Sequence, residues 1–107
     1  MKEILEEARR LGASIAAHPR ARALAAASEA FQADAEAQRL KAEYDQALAA
    51  LRADAGSSPR GDERAREEAL RRTIATHASI RRLLRAQADF QELMNGVSDA
   101  IHGAIGM

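Results

Sequence analysis

Few residues in this sequence can do acid–base or metal chemistry. Three histidines, His18, His77 and His102, carry the groups whose charge changes near neutrality. A metal reading would gather them around one ion. Helical ligand pairs stand one turn apart, as His-x-x-x-His or Glu-x-x-His, and neither spacing occurs. No carboxylate lies four residues before or after His18 or His77. The imidazoles are therefore expected at helix junctions, where they satisfy free backbone groups. Serine, histidine and aspartate are present, but none sits in a nucleophile motif. The glycines of Gly56-Ser57-Ser58-Pro59-Arg60-Gly61 lack the Gly-Lys-Ser/Thr ending of a phosphate loop. There is no cysteine, which excludes disulfides, thiolate nucleophiles and cysteine-held metal or iron–sulfur sites. These observations predict a protein that is not an enzyme and holds no metal or other cofactor.

The second group with chemical potential is basic. Arg64, Arg66, Arg71, Arg72, Arg81, Arg82 and Arg85 crowd one stretch. They could meet phosphates or an acidic partner. Glu63, Glu67 and Glu68 are interleaved, so i,i+4 pairs such as Glu67–Arg71 and Glu68–Arg72 arise on a helix. No aromatic residue is interleaved to stack on unpaired bases. The stretch reads first as a solvated, salt-bridged face. Arg64, Arg71, Arg72, Arg81, Arg82 and Arg85 are its candidate partner-binding residues, and a nucleic-acid-binding accessory protein is the alternative reading.

Helices must position these residues. The chain has 107 residues, 27 of them alanine, three aromatic residues and no Trp, a composition that favours helix throughout. Ile4, Ala8, Leu11 and Ile15 form one apolar stripe, which should stop near His18 because Pro19 disfavours helical geometry in the residue before it. Pro19 can open the next helix, with Ala21, Leu24, Ser28 and Phe31 as its stripe. Asp34 reads as an N-cap, with Glu36 in the first turn. Leu40, Tyr44, Ala47, Leu48, Leu51 and Ala55 follow. Residues 56–62 read as a loop, with Asp62 as a cap. A charged segment over 63–76 has only Leu70 and Ile74 as large apolar residues. Ile80, Leu83, Phe90, Met94, Val97, Ile101 and Ala104 then keep 3-and-4 spacing, and Gly103 and Gly106 should fray the end.

The chain also resembles itself at an offset of 59 residues: residues 11–32 match residues 70–91 at nine positions, including His18 with His77, Phe31 with Phe90 and Gln32 with Gln91. A helix–break–helix duplication within a single domain, 1–107, predicts a second break at His77. The expected fold is all-α, a bundle of about five helices with two long antiparallel helices.

The net charge is zero, and the halves barely differ: residues 1–55 carry 8 basic and 9 acidic groups, residues 56–107 carry 8 and 7. This excludes the global basic excess of a nucleic-acid binder. The acidic, amphipathic start lacks a signal-peptide core, and no apolar run approaches the roughly 20 residues of a bilayer span. A cytoplasmic protein without membrane contact is expected. A last helix of about 27 residues is about 40 Å long, whereas a compact chain of this size is about 33 Å across. Phe90, Met94, Val97 and Ile101 should therefore overhang and be covered by another chain, in a homodimer or a higher even-numbered oligomer.

Taken together, several segments resemble the YlbF/YmcA family of small helical bacterial proteins. They are Ile4-Leu5-Glu6-Glu7-Ala8 with Leu11-Gly12 and Ile15-Ala16, the break before Pro19, Phe31-Gln32-Ala33-Asp34-Ala35-Glu36-Ala37-Gln38, and Phe90-Gln91-Glu92-Leu93-Met94-Asn95 with Val97 and Ile101. The resemblance spans essentially the whole chain. It implies an oligomer-forming helical fold without catalysis and a regulatory or adaptor role. In the family's best-known members that role concerns competence, biofilm formation and sporulation, through a complex that assists an RNA-processing endonuclease. Some members hold iron–sulfur clusters through cysteines, which this chain lacks. The resemblance thus implies a further protein partner beside the chain itself.

Overall fold

A computed structural model describes residues 1–53 and 61–106. Among them are five α-helices and no strand: α1 (Lys2–Ala17), α2 (Pro19–Ala33), α3 (Ala35–Ala53), α4 (Gly61–Thr76) and α5 (Ala78–Ile105). No described helix is long and apolar enough to cross a membrane.

Each break has a local cause. At His18 the backbone is extended, φ −68° and ψ 142°. Pro19 pushes its predecessor out of the helical region and fills the first position of α2. The His18 imidazole accepts the Arg20 amide at Nδ1, 3.1 Å away, and so caps α2. Asp34 (φ −93°, ψ 100°) separates α2 from α3 and accepts the Ala37 amide at Oδ1, 3.1 Å, the N-cap expected of it. His77 (φ −74°, ψ 126°) separates α4 from α5 without a proline. Here the last turn of α4 is weakened from within: the hydroxyls of Thr73 and Thr76 bond back to carbonyls one turn earlier.

Three expectations change at the edges. Most of the loop expected over 56–62, and Ala55 before it, lie outside the described residues. Gly61 and Asp62 already belong to α4, so Asp62 stands inside the first turn, its carboxylate accepting the Glu63 amide at 3.0 Å. Gly106 does not fray α5 but closes it in the left-handed region, φ 84°, where glycine alone is unstrained.

The helices pair antiparallel. Tyr44 on α3 meets Glu67 on α4. Arg20 at the start of α2 donates to the Asp89 carbonyl at 3.2 Å, while Asp34 beyond its end meets Ser79, so α2 lies along the first half of α5. At the joint between these pairs Ala37, Leu40 and Ile80 form the core cluster, with Phe31, Leu70 and Ile74 against it. The other buried apolar residues among those described are alanines: Ala27, Ala47 and Ala86. Small side chains let the helices approach but bury little area.

The molecule is not the compact body that composition suggested. It extends 57 × 33 × 21 Å with a radius of gyration of 19.5 Å, against about 13 Å for a compact chain of this length. The reason lies at one end. In α1 every residue but Ile15 is exposed, and in α5 Ser98 to Ile105 are all exposed.

Candidate protein-interaction surfaces

Two amphipathic faces stand uncovered. On α1, Ile4 is 68% exposed, Leu5 46% and Leu11 40%. On α5, residues Ser79, Leu83, Ala86, Phe90, Leu93 and Val97 recur at 3-and-4 spacing as the covered or half-covered stripe. Phe90, Met94 and Val97 are half-buried, whereas Ile101 is 44% and Ile105 63% exposed. The free apolar surface therefore shifts from the expected Phe90 end toward Ile101 and Ile105, and α1 adds to it. The 3.6-residue period gave the stripes; it did not reveal that α2 begins near Asp89 and that α5 is bare from Ser98 on.

The arginines divide. Arg71 bonds Glu67 at 2.8 Å, and Arg72 lies 3.6 Å from Glu68, as the i,i+4 spacing required. Beyond Glu68 the interleaving stops: residues 69–88 contain five arginines and no carboxylate. Among the described residues Arg64, Arg81, Arg82 and Arg85 form no ion pair with one another's neighbours or across helices. Arg81, Arg82 and Arg85, with Ala75, Ala78 and Leu84, line a hollow of about 600 Å³ at the α4–α5 joint. A smaller, more apolar hollow of about 240 Å³ shares Leu84 and is lined by Tyr44, Ile74, Leu83 and the Lys41 chain.

Glu67 departs from the solvated-face reading. It is buried, 8% exposed, in the α3–α4 contact. Tyr44 donates its hydroxyl to Oε1 at 2.9 Å, and Arg71 donates to Oε2 at 2.8 Å. The hydrogen bond from Arg71, then that from Tyr44, holds the Glu67 carboxyl below its usual range. The same bond to Glu67 raises the Tyr44 phenol above its usual range. Tyr44 is 23 residues away in sequence, and no local spacing announced it.

His77 likewise has a partner from afar. Ser79 donates to Asp34 Oδ2 at 2.8 Å, His77 Nδ1 lies 3.2 Å from the same hydroxyl, and His77 Nε2 lies 3.7 Å from Asp34 Oδ2. A serine, a histidine and an aspartate thus meet, but as a closed triangle with the serine proton given to the carboxylate. Neither hollow is lined by any of the three. The arrangement splices two helix breaks together. The Ala37 amide bond, followed by the Ser79 bond, lowers the Asp34 pKa. His102 stands exposed in the last turns of α5. Among the described residues no three His, Asp or Glu side chains converge in a way that could hold a metal ion.

Residues 4–106 match the family described as control of competence regulator ComK, YlbF/YmcA. No curated protein sequence matches the chain. The fold is similar to that of Bacillus subtilis RicA, solved in complex with RicF. The TM-score is 0.87 at 18% sequence identity, covering 97% of this chain and 94% of the other. At that identity the likeness is one of fold.

Proposed function

The chain belongs to the YlbF/YmcA family, and we propose that it is a non-catalytic regulatory adaptor that works by assembling with other protein chains. One observation carries the reading. The chain exposes 7878 Å², whereas a compact chain of its 11.5 kDa exposes about 5,800 Å². The excess of about 2,000 Å² per chain is more than the roughly 800 Å² that each partner buries in a standard interface and falls in the range of an obligate one. All of α1 but Ile15, and α5 from Ser98 on, are exposed, and the core is thin and alanine-rich. A second copy of the chain is the first partner, in a homodimer or higher even-numbered oligomer sealed through Phe90, Met94, Val97 and Ile101, with Ile105 and α1 extending the seam. A different protein is the second partner, a reading supported by the complex in which RicA was solved. The finer role is to take part in cytoplasmic complexes that assist RNA processing and developmental control, as the family resemblance suggests.

Light scattering after gel filtration tests the assembly. The expected mass is that of two chains or a higher even number. Protein running as a monomer at tens of micromolar would overturn the reading.

A further inference from the structure

An adaptor needs a surface for its partner apart from the one that seals its own assembly. We propose that the hollow at the α4–α5 joint is a docking site for an acidic, amphipathic helix of a partner protein. The proposal deepens the adaptor reading by giving the second partner a place and a chemistry.

The site follows from the break at His77. There the chain turns, and the small side chains of Ala75 and Ala78, on either side of the turn, leave the floor of the hollow open. Ala78, Arg81, Arg82 and Arg85 stand at i, i+3, i+4 and i+7, one face of α5. The covered stripe Ser79, Leu83, Ala86 and Phe90 occupies a different face. A chain bound at the hollow would therefore not compete with α2 or with a second copy on the C-terminal seam.

The chemistry comes from two observations. Arg81, Arg82 and Arg85 are exposed and form no ion pair among the described residues, in a stretch of 20 residues without a carboxylate. Guanidinium groups bind carboxylates in a bidentate fashion. Arg81 and Arg85 are one helical turn apart, as are carboxylates at i and i+4 of a partner helix. Beside them the lining is apolar: Leu84 is 53% exposed and borders the second, apolar hollow as well. Exposed ion pairs alone bind weakly, so a fitting ligand brings an apolar stripe beside its carboxylates. A nucleic acid would offer phosphates but nothing for Leu84, and the site has no aromatic side chain on which a base could stack.

The test is an anisotropy titration of the full chain with a labelled synthetic peptide whose helical form places Glu and Leu on one face. A shuffled peptide of the same composition and single-stranded and duplex RNA oligonucleotides are run beside it. The amphipathic peptide is expected to bind roughly tenfold tighter than the shuffled one. Arg82→Glu with Arg85→Glu should cost tenfold or more, and Leu84→Ser severalfold, with circular dichroism and scattering mass unchanged. Equal binding of both peptides, indifference to Leu84→Ser, or no peptide binding would overturn the proposal. RNA binding tighter than the peptide, lost in the same double variant, would overturn it in favour of a nucleic-acid surface. The scattering mass reads the self-assembly independently, so failure of the hollow and failure of the seam are told apart.

Discussion

Asp34 and Ser79 lie 45 residues apart in sequence and 2.8 Å apart in the structure. Their bond ties the α2–α3 break to the α4–α5 break, and these two junctions carry the change of direction between the helix pairs. Asp34 serves both: Oδ1 caps α3 and Oδ2 holds Ser79. Replacing it by alanine leaves the Ala37 amide and the Ser79 hydroxyl without their acceptor. Asp34→Ala is expected to lower the melting temperature by several degrees, and Ser79→Ala by less, since the cap survives. Thermal unfolding by circular dichroism checks the order of the two.

The same carboxylate sets an acid limb. Its pKa is depressed in the folded chain, first by the Ala37 amide and then by Ser79, and that of Glu67 is depressed by Arg71 and Tyr44. The unfolded chain therefore takes up protons first as the pH falls. The stabilisation is complete above the ordinary carboxylate range, near pH 4, and is lost as pH drops through the lower folded values. Urea midpoints measured downward from neutrality should decline below about pH 4. Asp34→Asn should flatten part of that decline.

Tyr44 offers a sharper reading at the alkaline end because it is the only tyrosine and the chain has no tryptophan. Its hydrogen bond to Glu67 raises its pKa in the folded state. The neutral phenol is thus favoured by folding, and that contribution is present below about pH 10 and lost as pH rises through the folded value. Ultraviolet titration of tyrosinate reports this one group. The folded chain should ionise later than the chain in denaturant, and Glu67→Gln should shift the transition back toward the unfolded one. Coincident curves for folded and denatured protein would contradict the Tyr44–Glu67 bond.

How legible this was in the sequence depended on the range of the interaction. The break at His18 follows from one neighbour, Pro19, and the cap at Asp34 from the next turn, so both could be read. The His77 break could be read only through its correspondence with His18, because no proline marks it. Asp34–Ser79 and Tyr44–Glu67 could not be read at all: each joins residues whose spacing has no period. The Glu67–Arg71 pair looked like a surface pair for the same reason, since nothing nearby in the sequence showed that α3 would bury the carboxylate. The apolar stripe of α5 was legible as a stripe. Which part of it the chain covers depends on where along α5 the start of α2 is placed, a tertiary fact.

The core prediction follows from how little is buried. Leu40, 4% exposed, is the largest buried side chain on α3 and touches the one cluster that joins the helix pairs. Leu40→Ala should cost about 2–5 kcal/mol. In a chain whose other buried apolar residues are mostly alanines, that is a large share of a total stability of about 5–15 kcal/mol. Denaturant unfolding at fixed protein concentration should show a much lower midpoint. Ala25→Ser, on the exposed side of α2, should leave it nearly unchanged.

The last prediction concerns the seam. Five large apolar side chains per protomer, Ile4, Leu5, Leu11, Ile101 and Ile105, are 40–68% exposed. Full burial of one contributes about 1.5–3 kcal/mol, of which roughly half remains to be gained here. Ten of them across a two-fold axis give on the order of 8–15 kcal/mol, against an association cost of roughly 4–15 kcal/mol. The balance is close, so one misplaced charge should tip it. Val97 is half-buried at the edge of the stripe. Val97→Asp would bring two carboxylates to or near the two-fold axis, and Leu11→Asp would place one on the free face of α1. Each variant should move the scattering mass toward that of one 11.5 kDa chain, while Leu84→Ser, on another face of α5, should not. The Leu40–Leu51 stripe is the next candidate seam, a narrower one, because Leu40 and Ala47 are already buried within the chain and only the half-buried Tyr44, Leu48 and Leu51 are left to meet a second copy. An oligomer untouched by either Asp substitution would therefore show that the bare faces of α1 and α5 are not what holds the copies together.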